Sequence, residues 1–425
     1  MMRLIHTADW HLGNSMHDID RREESEKFLQ WLRERIVEFG AECLVVAGDI
    51  FDTANPPTEA RRQYFRFLAS LLGTCCRNIV LVGGNHDSGA LLDAPKDLLE
   101  ALNIQMVGSV GDRSVEDLVR ELSDASGNVI GISAAVPYVR EPDLRRFLTD
   151  ESELFVDNAY GGLYGAVYEA AERLRAGRDI PIVATGHLYA SNLEGRPDVD
   201  TGCDAKGHGM RDIVGNLGTV SSSVFPGALD YVALGHIHYA TMVAKNPKVR
   251  YSGSPFVLGF DEAAMPHHVL TVDLRKGVEP VVEKLETPRY FDFRRIRGSV
   301  AEIRRQLMEL KSRGAERPVK LEILYDYDPR VNFQAELQDL LEGESYEVVS
   351  WKSNRRDSLN AADFTDDSAE GIEIPDEKGV FKLLLMKQAG LLEADEQVEA
   401  QYAEFLPLFE QVLEETDREN GEGRP

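Results

Sequence analysis

Cysteine is scarce in this chain. Among 425 residues there are four, Cys43, Cys75, Cys76 and Cys203, and no two stand as Cys-x-x-Cys. That excludes a disulfide framework and a thiolate zinc finger. The expected state is buried free thiols in a reducing compartment. Positive charge is also short: 47 Lys and Arg stand against 73 Asp and Glu, a formal net charge of -26. A protein that grips nucleic acid through a large basic surface of its own is therefore excluded. A nucleic-acid enzyme is not, because bound divalent metals offset acidic charge and a basic partner can supply a groove. Apolar runs long enough for a signal peptide or a membrane span are missing. The expectation is a cytoplasmic protein with no membrane association. There is no internal repeat.

What the chain does contain is a series of short apolar runs, each ending in a polar, metal-competent fragment. Ile79-Val80-Leu81-Val82 reads as a buried strand, broken by Gly83-Gly84 and followed at once by Asn85-His86-Asp87. Glycine permits the sharp turn and close backbone approach that such a fragment needs. Arg3 to Thr7 is a strand ending in Ala8-Asp9-Trp10-His11, and Cys43 to Ala47 one ending in Gly48-Asp49-Ile50-Phe51-Asp52. Ile180 to Ala184 leads into Thr185-Gly186-His187, and Tyr231 to Leu234 into Gly235-His236-Ile237-His238. In open α/β sheets ligands bind at such strand ends.

Between these strands lie helical patterns. Phe28, Leu29, Leu32, Ile36 and Phe39 recur at helical spacing over Glu24 to Phe39. Thr58 starts a helix with Tyr64, Phe65, Leu68, Leu71 and Leu72 on its apolar side, and Ser88 to Leu102 reads as one further helix. Leu163 to Leu174 is also helical. Ser191 to Val220 is polar and Gly-rich, a long surface loop near the strand ends. Three short alternating segments, Arg250 to Ser252, Val269 to Val272 and Val281 to Leu285, read as a second sheet layer. The alternation of strands and helices predicts a layered α/β fold.

A chain of this length predicts two or three domains. A boundary falls near Thr287-Pro288. Beyond it Tyr290 to Ile296, Val319 to Leu324 and Glu347 to Val349 read as strands, and Ile303 to Leu310 and Val331 to Leu341 as helices, a small α+β unit over 288–352. Residues 353–374 are polar and acidic and read as a linker. Over 375–418 come two amphipathic helices, the second with Val398, Tyr402, Phe405, Phe409, Val412 and Leu413 in one stripe. That stripe fits docking on a partner, or packing on the chain's own surface. Glu419 to Pro425 reads as a disordered acidic tail.

Collected, the strand ends supply Asp9, His11, Asp49, Asn85, His86, His187, His236 and His238. Carboxylate, imidazole and amide without thiolate suit a divalent metal such as manganese, iron or zinc. Five converging strand ends can hold two metals, with the two-oxygen carboxylate of Asp49 as a natural bridge. Two-metal sites, with ions about 3.5–4 Å apart, serve in-line displacement at phosphorus. His17, His208, His267 and His268 read as ordinary surface or core histidines. Asp52 either faces the substrate or caps a turn. Arg21 and Arg22, at a helix start, read as solvated.

Asp-x-His, Gly-Asp-x-x-Asp, Gly-Asn-His-Asp, Gly-His and Gly-His-x-His in this order resemble the calcineurin-like metallophosphoesterase superfamily. Tyr251-Ser252-Gly253-Ser254-Pro255 and Phe260-Asp261-Glu262 lie outside those motifs, and with them residues 1 to 350 resemble the SbcD nuclease family. The resemblance implies a metallophosphoesterase fold over 1–287, a two-layered β-sandwich flanked by helices, with 288–352 as an α+β capping domain that helps admit DNA. It implies one metal on Asp9, His11, Asp49 and His238 and another on Asp49, Asn85, His187 and His236. The metals would be Mn2+, with Mg2+ as the other choice. His86 would be the acid that steadies the phosphate and protonates the leaving oxygen, and Asp87 would orient His86. The implied partners are DNA, an SbcC-type ATPase of the SMC class in a heterotetramer, and a second copy of this chain. The homodimer would form through the Tyr64 to Leu72 helix and the helix after Asp87. The implied activity is ATP-dependent double-strand exonuclease and single-strand endonuclease cleavage in DNA repair, replication and recombination. A stand-alone phosphoesterase for small phosphate esters and a non-enzymatic scaffold are the competing readings. The capping unit and terminal helices count against the first, and the complete ligand set against the second.

Overall fold

The strands that carry the motifs are apolar on both faces, and parallel sheets covered on both sides require that. A computed structural model describes residues 1–16, 19–148, 155–191, 193, 219–325, 341, 346–353 and 405–407. Two six-stranded sheets lie face to face. The first runs Val281–Glu286, His268–Leu274, Met2–Thr7, Cys43–Ala47, Asn78–Val82, Ile104–Val107. Its last four strands are parallel, while His268–Leu274 pairs antiparallel to Met2–Thr7. The second runs Val119–Ser123, Val129–Ala134, Ile182–His187, Tyr231–Gly235, Asn246–Tyr251, Thr241–Val243, parallel in its four middle strands.

Alternation along the first sheet sorts its side chains between two cores. Leu4, Val45, Val80 and Val82 point into the space between the sheets, where Ile132, Val183 and Val232 meet them. Ile5, Leu44, Val46, Ile79 and Leu81 point the other way, onto Phe28, Leu32 and Leu68 of the helices Arg22–Phe39 and Thr58–Leu71. The helix Phe155–Arg175 packs Tyr160, Tyr164 and Val167 into the core of the second sheet. The two sheets and their flanking helices are the architecture expected of a metallophosphoesterase sandwich.

Several readings of the sequence change here. His268–Leu274 and Val281–Glu286 extend the first sheet and are not part of a second layer. The second layer is built instead around Ile182–His187 and Tyr231–Gly235, with Val119–Ser123 at its edge. The segment Ser88 to Leu102 is two short helices, Gly89–Asp93 and Lys96–Ala101. Pro95 between them lacks the N–H that a continuous helix would use. On the Thr58–Leu71 helix Phe67 is buried, whereas Phe65 is 44% exposed and Leu72, just past the helix end, 47%. Cys43 and Cys76 are buried as expected, but Cys75 is exposed. Arg21 is buried and not solvated, while Arg22 is exposed and paired with Asp20.

A third sheet follows the sandwich: Asp292–Gly298, Val319–Tyr325 and Tyr346–Ser353, all parallel. The helix Val300–Arg313 connects its first two strands and opens with a Ser299–Glu302 capping box. Ile296, Ile303, Leu307, Leu321 and Ile323 form its core. The chain divides into two compact units, Met1–Asn354 and Arg355–Pro425, and the third sheet belongs to the first. Of the second unit, residues 405–407 are described and are helical. His17, Cys203, His208, the 191–220 loop apart from its ends, the Val331 to Leu341 helix apart from Leu341, the linker beyond Ser353 and the rest of the terminal stripe lie outside the described residues. No helix among the described residues is long and apolar enough to cross a membrane.

The strand ends of the two sheets close on each other at Gly235. A Cβ there would sit 1.9 Å from the Ala47 carbonyl oxygen. Gly235→Ala is therefore expected to lower unfolding stability by roughly 1–3 kcal/mol. Gly227→Ala, with nothing within 4 Å of the added carbon, is the control. Urea midpoints of the two variants check this, and equal midpoints would reject the close approach.

Candidate metal centre

Each motif places its polar residues at the C-terminal end of a strand of one of the two central sheets, and backbone hydrogen bonds lock the loops together. Asp9 N–H donates to the Gly48 carbonyl at 3.0 Å and His11 N–H to that of Asp49 at 2.9 Å. Trp10, between the two candidate ligands, is fully buried. Its Nε1 donates to Thr7 Oγ1 at 2.9 Å, and its ring meets Phe28 and Phe67 edge-on. This anchors Asp9 and His11 in the helix-side core. Asp9, His11, Asp49 and His236 all adopt positive φ, at 53°, 43°, 48° and 100°. For residues with a side chain that is strain of about 1–3 kcal/mol each, and it concentrates at functional sites.

Asp49 lies at the middle. Its Oδ1 accepts from His86 N–H at 2.9 Å. Its Oδ2 lies 3.5 Å from His11 Nε2 and 3.3 Å from His187 Nε2. Gly84 makes this possible, since a Cβ there would stand 2.1 Å from Asp49 Oδ1. Asn85 Oδ1 is 3.0 Å from His187 Nε2 and 3.1 Å from His236 Nδ1. Asp9 accepts from His236 N–H at 2.9 Å. The structure thus brings all seven sequence-predicted ligands and His86 to one place. Ligand atoms of Asp9, His11 and His238 lie within 4.8 Å of one another, as do those of Asp9, Asp49 and His187 and those of His11, Asp52 and His86.

The imidazoles are prepared as ligands. His187 Nδ1–H donates to the Ala47 carbonyl at 2.9 Å and leaves Nε2 facing Asp49. His11 Nδ1–H donates to Asp52 Oδ1 at 3.2 Å, and its Nε2 is buried with no hydrogen bond. A buried ring nitrogen without a hydrogen bond, set beside a carboxylate, is what a divalent cation would satisfy. The oxygen and nitrogen donor set fits such an ion. His6, in the first motif, is different: Tyr231 OH and the Leu234 carbonyl take both its nitrogens, and burial lowers its pKa to about 3.

Three roles differ from expectation. Asp87 does not orient His86. Its carboxylate accepts from the N–H groups of Ile50, Phe51 and Gly84 at 3.0, 2.9 and 2.9 Å, and so ties two motif loops together. Burial and the Asp49 charge raise its pKa to about 6 against those three donors. His86 Nδ1–H instead donates to the Asp52 carbonyl at 2.9 Å. The Asp52 carboxylate is taken up by His11 and Asn14. Glu262 was given no role by the sequence motifs, yet it accepts from His238 Nδ1 at 2.7 Å. Its signal was the Phe260-Asp261-Glu262 text, which carries no ligand spacing of its own. Among the described non-site histidines, His267 is buried and donates through Nδ1 to the Ser254 carbonyl at 2.9 Å, an ordinary core histidine.

This fold and this donor set define a metal-dependent phosphoesterase. The sequence model of the calcineurin-like phosphoesterases matches residues 2–240, and the chain belongs to that family, within it to the SbcD group. The SbcD component of the SbcCD nuclease of Escherichia coli K12 is 33% identical over 363 residues, which cover 83% of this chain and 86% of the relative. The protein of the same name from Rhodobacter capsulatus is 32% identical over 285 residues, covering 66% and 68%. That from Bacillus subtilis is 31% identical over 282 residues, covering 65% and 68%.

Burial would lower the His187 pKa, but the Asp49 charge and contact outweigh it and raise it to about 9. His238 is likewise pulled down by burial and raised by Glu262 to about 9. Both values exceed the ordinary 6.5. In the metal-stripped chain this stabilisation is full below pH 6.5 and is lost as pH rises through about 9. A divalent cation that took these nitrogens at about pH 7.5 would displace their protons, and Mn2+ is the probe. Titration calorimetry in two buffers of different ionisation enthalpy should give different apparent enthalpies; a buffer-independent enthalpy would reject the protonated histidines.

Proposed function

We propose that this chain is the nuclease subunit of an SbcCD-type complex, a phosphodiesterase that hydrolyses DNA with two divalent ions, Mn2+ rather than Mg2+. Asp9, His11, Asp49 and His238 would hold one ion, and Asp49, Asn85, His187 and His236 the other. The observation that carries the reading is the Asp49 carboxylate, set between His11 and His187 with one oxygen facing both. The ions, when bound, supply Lewis acidity toward a phosphoryl group and make water acidic enough to attack near neutral pH. The protein's share is placement. The Asp52 carbonyl fixes Nδ1 of His86, which leaves Nε2 to carry a proton to the leaving oxygen. The ring of His86 lies 4.9 Å from that of His11, and the residue is half-buried, within reach of a substrate at the rim.

The third sheet is the capping domain in this reading, and its first strand exposes Arg294 and Arg297. An acidic chain then needs a partner to complete a DNA groove. The proposed partners are an SbcC-type ATPase, bound through the terminal helices, and a second copy of this chain, in a cytoplasmic heterotetramer. The linker would let the nuclease move as the ATPase cycles. The net charge of -26 favours one competing reading, a small phosphodiester as substrate.

His86→Ala is expected to keep both Mn2+ ions and lose at least roughly a hundredfold in turnover. The measurement is cleavage of a labelled linear duplex, with and without Mn2+, with and without the ATPase and ATP. Normal cutting by the variant would remove His86 from the chemistry. Hydrolysis of a cyclic nucleotide with no cutting of DNA in any lane would keep the metal chemistry and discard DNA.

A further inference from the structure

Arg21 is 5% exposed although it opens a surface helix. Its guanidinium lies between two rings, 5.5 Å from the centroid of Phe256 and 5.6 Å from that of Phe293. Nε donates to Glu24 at 2.6 Å, and Nη1 donates to the Val257 carbonyl at 2.7 Å and to Asn14 Oδ1 at 3.3 Å. Phe293 belongs to Asp292–Gly298, the first strand of the third sheet. Arg21 therefore joins that sheet to the loops of the metal centre.

Two arms lead inward from this junction. In the first, Asn14 Nδ2 donates to Asp52 Oδ1 at 2.9 Å, and the same oxygen accepts from His11 Nδ1 at 3.2 Å. In the second, Phe293 meets Phe260 edge-on at 5.8 Å. Two residues further on, Glu262 accepts from His238 Nδ1 at 2.7 Å and from Leu258 N–H at 2.8 Å. Val257, which Arg21 holds, is at the start of this loop. Phe293, Phe260, Val257 and Met16 share one apolar cluster. Both arms end on one ligand group, Asp9, His11 and His238. The braces of the other group lie elsewhere: the Ala47 carbonyl on His187, and Asp87 on the backbone of Ile50, Phe51 and Gly84.

We propose, resting on the two-metal reading above, that Arg21 is a positioning residue that ties the seat of the third sheet to one of the two metal positions, that of Asp9, His11 and His238. When the sheet lifts, Phe293 leaves Arg21 and Phe260, and the carboxylates that orient His11 and His238 loosen together. The Asn85, His187 and His236 position keeps its braces. Occupancy of one ion then follows the seating of the sheet. Lysine cannot replace Arg21, because a point charge cannot serve Glu24, Val257 and Asn14 at once or stack between two rings.

The test is Mn2+ binding to the full chain, read by calorimetry and by the spin-resonance signal of free Mn2+, for wild type, Arg21→Lys and Phe293→Leu. The expected result is two ions in the wild type. In each variant one ion should bind roughly tenfold to a hundredfold more weakly, with the other unchanged, as for loss of a group that orients a metal ligand. Phe293→Leu contacts neither Asp52 nor Glu262 and carries the test if Arg21→Lys does not fold. A merely structural role would lower the unfolding midpoint without separating the two affinities. Two unchanged affinities, or two that fall in parallel, overturn the proposal. A wild type that binds fewer than two ions overturns the two-metal reading, and this coupling with it.

Discussion

A buried carboxylate surrounded by imidazoles governs this molecule. Burial alone would push Asp49 toward its neutral form. His187 and His11 outweigh that and hold it well below the usual carboxylate range. Asp9, also buried, is pushed up by desolvation while His187 and His238 pull it back. Such a cluster is costly in a medium of low polarity, and the opposite charges set against one another offset part of that cost. Divalent cations fit it because they neutralise the carboxylates and take the imidazole nitrogens as these release their protons.

The surrounding fold exists to hold that cluster open at one edge. Parallel strands end there, and the loops that follow are pinned to one another, Asp9 to Gly48 and His11 to Asp49, as well as by their own turns, as Gly84 is to Asp87. Four of the candidate ligands sit at positive φ, so the backbone is strained where the chemistry is. The strain is offset by the cores on either side. Trp10 shows how directly: one residue from both Asp9 and His11, its indole is sunk among Phe28 and Phe67. Stability of the helix layer and placement of the ligands are the same interaction at that point.

The third sheet adds a different kind of contact. Apolar packing is non-directional; the guanidinium of Arg21 is directional and reaches three acceptors while lying between two rings. A junction built that way transmits position, since a small shift breaks hydrogen bonds that apolar surfaces would tolerate. It also places a cation in a strongly acidic chain where it is shielded from water and from salt.

Much of this was legible in the residues alone. Apolar runs of strand length followed by Asp-x-His, Gly-Asp, Gly-Asn-His-Asp and Gly-His-x-His located the ligands, because metal donors are few in type and a strand's end is marked by glycine. The helix–strand alternation gave the layered architecture for the same local reason. What stayed hidden depended on distance in sequence. No local pattern says that His268–Leu274 pairs with Met2–Thr7, because pairing is chosen by the whole sheet. The orienting groups were equally out of reach. Asp87 sits beside His86 in the chain yet serves the backbone of Ile50 and Phe51, while Glu262 reaches His238 across 24 positions. Arg21 read as solvated because its acceptors, Asn14 and Val257, and its second ring, Phe293, converge only in the folded chain. The sequence determined which atoms could bind a metal; tertiary packing decided which carboxylates and carbonyls aim them, since a hydrogen bond needs a distance and an angle that sequence spacing does not contain.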